Sequence, residues 1–350
     1  MVFVGTCQTL CPAQEIRERI KHHQVHPVFE KDILIKRYSR PAAGKHSDTP
    51  ENVRPPEVLF EAMRHLMNIA RTQTNFSACY SFVWDRLWAV RQDLTLQQAH
   101  CKGTRAILAQ CVRFYVVAAT LCPAEGAPLK VFDPAINTEH FLDTIGRLLH
   151  LYEDHGIVDE DRPEIESLYL LWNVDSFTVL VRASGLHPVI KRRMGNESFD
   201  VAKTFLHGNM YRLLQIARHF HNPLQWSALA PKLSKIRVMF LRALNTAYSS
   251  KACIFPLSVL ARWLDMSEDG CEALLAYCKI PVTIYDTTGA GGNGQVPTRN
   301  VSFFKSRMNL NFSLEGSLPP YFVVIDRVEE LRTQVDSFIL SGSVPAKNGS

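Results

Sequence analysis

The sequence predicts a mainly α-helical fold: stacked helical hairpins in an α-solenoid-like layout, ending in a winged-helix subdomain. Three observations predict it. From position 56 to about 250, stretch after stretch carries apolar residues at steps of one, three and four, which gathers them on one face of a helix. Short polar turns separate these stretches, as in stacked hairpins. After Lys251 the pattern changes to two short helical segments followed by two short strand-like runs. No repeat of fixed period runs through the helical part, so the hairpins are degenerate if they are repeats.

Residues 1–55 read as irregular chain with short helices. Cys11-Pro12 sets a turn, and Pro12 suits a first helical turn, with Glu15 and Glu18 near its positive end. This helix is expected to reach His23, and a second short one is expected near 29–37. Residues 40–56, rich in Pro, Gly, Ser and Asp, read as loop. In the helical body, 56–250, the segment 56–71 places Val58, Leu59, Ala62, Met63, Leu66, Met67 and Ala70 on one face. Helices are expected over 76–89, 95–101, 104–121, 140–152, 165–182, 199–220 and 233–248. The segment 104–121 is apolar nearly all round, as in a central helix. In the third part, 251–310, helices at 256–264 and 268–278 precede strands at 282–285 and 301–304, the order of a winged helix. The last part, 311–350, is expected to hold a helix at 328–339 and a disordered tail.

The chain has 350 residues, enough for one large domain or two smaller ones. With 46% apolar and 21% charged residues it can build a substantial core, which excludes disorder as the main state. The net charge is only +5, but it is unevenly placed. Residues 152–175 hold eight acids against the single base Arg162. Residues 182–251 hold twelve Lys and Arg against Glu197 and Asp200, a local excess of about ten positive charges. Such a segment suits an anionic partner, or a set of helix faces that pair with the acidic stretch. Nine cysteines, several inside apolar runs, suit buried reduced thiols in a cytoplasmic or nuclear protein. The start shows no basic stretch followed by a long apolar one, and no apolar run reaches about 18 residues, so neither a secretory leader nor a membrane span is expected.

Catalytic and metal signatures are weak. Residues 289–294 read G-A-G-G-N-G, but a strand-like run follows where a dinucleotide site needs a helix. Cys7 and Cys11 are followed by His22, His23 and His26, yet no second cysteine pair completes a zinc site. His219 and His221 are not at helical ligand spacing. The carboxylates at 159–161, 164 and 166 fall in a very polar stretch and read as a solvated turn. No cofactor, metal or small-molecule substrate is expected. Two basic clusters are candidates for nucleic acid or an acidic partner: Lys36, Arg37 and Arg40 around Tyr38, and Lys191, Arg192 and Arg193, with Lys232 and Lys235 in the same basic segment.

Several ordered blocks resemble one family. Gly5 to Pro12 (G-T-C-Q-T-L-C-P), with Glu15 and Arg19, resembles the opening of the Sac-three/GANP domain, with Leu10 where Met is usual. K-R-Y-S-R-P-A-A-G from Lys36, R-P-P-E-V-L from Arg54, and F-V-W-D-R from Phe82 through R-Q-D-L-T from Arg91 to Gln97 resemble the next three blocks. G-N-M-Y-R from Gly208 resembles a later one. The resemblance implies a helical body of the PCI/TPR-like kind, a scaffold without catalysis, and protein partners with a second PCI-type subunit and RNA as candidates. Long members act in messenger-RNA export beside such a subunit. Short members, which this chain is similar to in length, are tied to centrosome duplication, the spindle and cell-cycle progression. Cytoplasm, centrosome and spindle, with the nucleus as a second place, are the implied locations.

Within the blocks, Cys7 and Cys11 read as small packing residues at a turn. Trp84, Asp85, Arg86, Arg91 and Asp93 set opposite charges within one or two turns beside large aromatics, a pattern suited to buried pairs that lock helix to helix. Gly208-Asn209, read as lying inside a helix, is expected to let a neighbouring backbone approach.

Overall fold

The computed structural model describes residues 4–40, 49–154, 159–250, 253–285, 298–303, 328–329 and 331–332. The glycine-rich stretch 289–294, the tail expected to be disordered and most of the helix expected at 328–339 lie outside them. The described residues are mainly helical, and they fall into two compact units, residues 1–165 with 331–350 and residues 166–330. The divide falls inside the span read as a single helical body.

In the first unit, α1 (Ala13–Lys21) starts on Pro12, a position where the missing N–H has no consequence. The segment 29–37 is irregular, not helical, because its backbone groups serve side chains: Glu30 accepts from the Ile35 amide at 3.2 Å and Glu15 from the Arg37 amide at 2.9 Å. A short 3₁₀ turn, Pro50–Asn52, leads to α2 (Pro56–Thr72), whose eight buried residues repeat at helical spacing. Asn75 caps α3 (Phe76–Leu96), a single helix of 21 residues. It ends where Gln98 takes φ of 47°, so 95–101 holds no separate helix. Next come α4 (Lys102–Ala124) and α5 (Pro134–Asp154), the latter begun by Asp133 accepting from Ala135 N at 2.8 Å. Helix α4 packs against α2, α3 and α5. By length and composition α4 would pass as a membrane span, contrary to the reading of its sequence; it is instead the buried centre of this unit.

Helix α6 (Arg162–Trp172) leads into the second unit. The apolar period runs on past it, but Asn173–Asp175 turns the chain and Ser176 caps a new helix, α7 (Phe177–Ser184), so 165–182 is two helices. The basic cluster then forms a helix of its own, α8 (Pro188–Met194). The span 199–220 is likewise two helices, α9 (Glu197–Leu206) and α10 (Met210–Arg218). Asn222 caps α11 (Pro223–Ala247), which tolerates Pro231 and starts ten residues before the expected 233.

Strand β1 (Ile254–Pro256), α12 (Leu257–Trp263), α13 (Glu268–Tyr277), β2 (Val282–Tyr285) and β3 (Thr298–Ser302) follow. The sheet is antiparallel, in the order β1-β3-β2, with Phe255 opposite Val301 and Ile284 opposite Arg299. The sequence reading missed β1 because three residues ending in proline carry no period; as an edge strand, β1 tolerates Pro256. Arg237 of α11, fully buried, donates to the carbonyls of Leu264 at 2.8 Å and Asp265 at 2.5 Å. Its guanidinium thereby satisfies the end of α12, and burial brings its pKa down to about 10.

Candidate functional site

The residues of the sequence blocks converge on α3. At its C-terminal end, Asp93 is fully buried. Oδ1 accepts from Lys36 Nζ at 2.6 Å and Oδ2 from Arg54 Nε at 2.7 Å. Lys36 Nζ also donates to the Asn52 carbonyl at 2.6 Å, and Gln97 donates to the Arg54 carbonyl at 2.8 Å and accepts from Gly5 N at 3.1 Å. One carboxylate thus gathers three segments distant in sequence, with its negative charge shared between two buried cations.

One side of α3 toward its start holds a second centre. Glu30, buried, pairs with Arg19 and with Arg86 at 3.2 Å, and it accepts from the amides of His26 and Ile35. Burial pushes the Glu30 carboxyl up, but the His26 amide, Arg86 and Arg19 outweigh it and hold the pKa below the ordinary value. Arg86 also lies 3.9 Å over the Phe82 ring and 3.1 Å from Asp85, whose carboxyl is raised chiefly by burial.

The third centre joins α3 to α4 and α5. Arg91 donates to Tyr115 Oη at 3.2 Å, sits 2.9 Å from His140 Nδ1 and pairs with Asp143. His140 lies edge-on to Trp84 and Trp88. Burial, with Arg91 beside it, lowers its pKa to about 4, so the ring is neutral at pH 7 and Nδ1 accepts from Arg91. Tyr38 stacks on Trp88 at 3.6 Å.

Cys7 Sγ donates to the Thr9 carbonyl at 3.4 Å, and the buried Cys11 thiol is pushed up by desolvation. Burial likewise keeps Cys79, Cys111, Cys122, Cys271 and Cys278 protonated, so none is a ready nucleophile. Among the described residues no three His, Cys, Asp or Glu side chains are grouped as a metal would need.

Several expectations change. Lys36 is 6% exposed and locked to Asp93, so it does not present a charge to a partner; Arg37 and Arg40 remain exposed. Lys232 and Lys235 both donate to Asp175, at 3.1 and 3.0 Å, so one carboxylate inside the fold is shared between the two ammonium groups. Of the carboxylates at 159–166, Glu160 is exposed and the other four are engaged inside the fold. Asp159 pairs with Arg105, Glu164 with Arg113, Glu166 with Arg182, and Asp161 accepts from Tyr152 Oη. Gly208 and Asn209 do not lie inside a helix. Gly208 takes φ of 71° after α9 with nothing within 4 Å of a Cβ, so no backbone approaches it; Asn209 caps α10 by accepting from Arg212 N at 3.0 Å.

Lys191, Arg192 and Arg193 lie in α8, with Arg192 and Arg193 exposed and Lys191 Nζ donating to the Ser184 carbonyl at 2.9 Å. Glu30, Tyr115 and His140 were not singled out in the sequence. Each has a partner 24 to 56 positions away, Arg86 for Glu30 and Arg91 for Tyr115 and His140, which no local period reports.

The SAC3/GANP family model matches residues 10–284. SAC3 family protein B of Arabidopsis thaliana is 26% identical over 313 residues, 81% of this chain and 18% of the relative. Protein xmas of Drosophila melanogaster is 24% identical over 291 residues, 76% of this chain and 14% of the relative. SAC3 family protein 1 of Schizosaccharomyces pombe is 30% identical over 202 residues, 54% of this chain and 19% of the relative. The chain therefore spans less than a fifth of each of these relatives.

Proposed function

The chain belongs to the SAC3/GANP family, and on that premise we propose that it is a non-enzymatic scaffold acting in centrosome duplication, spindle assembly and mitotic progression. Members of the family act within protein complexes in messenger-RNA export and in mitosis. The observation that carries the scaffold reading is where the motif charges go. Lys36, Arg54, Arg86, Arg91, Glu30 and Asp93 are each buried and engaged with another part of the chain, so none faces a substrate. Charges used this way fix the relative position of helices and of the segments packed on them. The mitotic part rests on the link of the family as a whole to mitosis. The order β1, α12, α13, β2, β3 supports the reading of 251–310 as a winged helix, and a second PCI-type subunit is the expected protein partner of the chain.

Imaging a tagged chain through mitosis tests the mitotic part. Enrichment at centrosomes and spindle is expected, with abnormal centrosome number after depletion. A diffuse signal and normal centrosome number would remove it.

A second reading, an RNA-binding adaptor in an export complex, is favoured by the exposed Arg192 and Arg193 with Arg37 and Arg40. It predicts binding that falls steeply with salt and is lost when Lys191, Arg192 and Arg193 are changed to Glu.

A further inference from the structure

Helices α7 and α8 leave one face uncovered. Phe177 is 65% exposed and Val181 54% exposed, one turn apart on the same side of α7, with Ser184 next along that side. A large ring so open is unusual on a helix whose other apolar residues, Val179, Leu180 and Ala183, are buried. At the C-terminal end of this face Lys191 Nζ is anchored on the Ser184 carbonyl, so a cation closes the apolar row. On α8, Val189 is 43% exposed, with the exposed Arg192 and Arg193 at helical spacing from it, and the Lys191–Ser184 hydrogen bond ties this helix to α7.

The charge of the segment that forms this face has one sign. No Asp or Glu occurs between Asp175 and Glu197 in the sequence. Of the two flanking acids, Asp175 is held by Lys232 and Lys235, and Glu197 lies in the first turn of α9. Arg182 is turned to Glu166, which leaves Lys191, Arg192 and Arg193 as the cations of the open side.

We propose that this face is a docking surface for an acidic amphipathic helix of a partner protein. The apolar row takes the apolar stripe of that helix, and the cations at its end take carboxylates flanking the stripe. RNA would use Arg192 and Arg193 and could stack a base on Phe177, but it has no comparable need for Val181 and Val189, aliphatic side chains that offer a base nothing to stack on. The inference rests on the scaffold reading and adds the class of partner.

A display library of natural peptide segments, panned in parallel on the full chain and on its Phe177→Ser/Val181→Ser and Arg192→Glu/Arg193→Glu variants, tests it. Both variant pairs are exposed, and thermal unfolding checks that they remain folded. The expected result is enrichment of segments with apolar residues at i, i+3 or i+4 and i+7 and several Asp or Glu. Each variant pair should weaken the enriched segments about tenfold or more. Enrichment of neutral or basic segments, or equal enrichment on the variants, overturns the proposal. So does a 20-nucleotide single-stranded RNA whose binding is lost with Arg192→Glu/Arg193→Glu while no acidic segment is enriched, since it gives the face to nucleic acid. Either failure, with mitotic enrichment of the tagged chain intact, removes this inference and leaves the scaffold reading standing.

Discussion

Lys36 reaches across 57 positions to Asp93: its ammonium donates to Oδ1 at 2.6 Å, and both side chains are buried. Arg54 completes the same carboxylate from a third segment. Desolvating three charges is unfavourable, and the close geometry with extra hydrogen bonds offsets it. Removing Asp93 leaves both cations without their carboxylate, and removing either cation leaves one carboxylate oxygen without its cation, so these residues behave as a unit.

Glu30 gives the first pH prediction. Its folded pKa lies below the ordinary 4.5, so the unfolded chain takes up the proton first as pH falls. Its contribution is present above about pH 4.5 and is lost below it, through the lower folded value. Glu30→Gln is expected to cost about 3–5 kcal/mol near pH 7, because Arg19 and Arg86 are left buried. Denaturant unfolding at several pH values should show the gap between the two proteins closing below pH 4.5. A constant gap contradicts the assignment.

His140 has the opposite chemistry and the same sign. Folding holds the ring neutral with a pKa of about 4, while the unfolded ring titrates near 6.5. Between these values the unfolded state binds more protons, so stability falls as pH drops from 6.5 to 4. The groups facing the ring are Arg91, Asp143, Tyr115, Trp84 and Trp88. His140→Gln should remove this slope in a series of melting curves. An imidazole proton resonance that titrates near pH 6.5 in the folded chain would refute it.

Two glycines of the sequence blocks make separate demands. A Cβ on Gly5 would strike the Val53 carbonyl, and Gly5 N also holds Gln97, so Gly5→Ala is expected to cost about 1–3 kcal/mol. Gly208 has open space and only its φ of 71° to defend, so Gly208→Ala should cost about 1 kcal/mol. Equal effects, or a neutral Gly5→Ala, would show that the Val53 contact yields readily.

Much of the fold was legible where one period dominates. Helix α2 shows its buried face in the spacing of Val58, Leu59, Ala62, Met63, Leu66 and Met67. The breaks inside 165–182 and 199–220 were hidden because apolar residues keep helical spacing on both sides of them. The caps Ser176 and Asn209 were the local signals that could have exposed those breaks. Around α3 the mixed charges of Trp84–Asp85–Arg86 and Arg91–Asp93 read as structural pairs, but the partners could not be named from spacing. Lys36 beside Arg37 and Tyr38 looked like a surface cluster, because burial by a carboxylate 57 positions away leaves no mark on its neighbours.

Thermal unfolding of Asp93→Asn in the full chain tests most directly whether the motif charges hold a scaffold or serve some other purpose. With Lys36 and Arg54 left buried without their carboxylate, the melting temperature should fall by at least about 5 °C. A melting temperature within a degree of the unaltered chain would contradict the account, since it would mean that Asp93 is kept for something other than holding the fold.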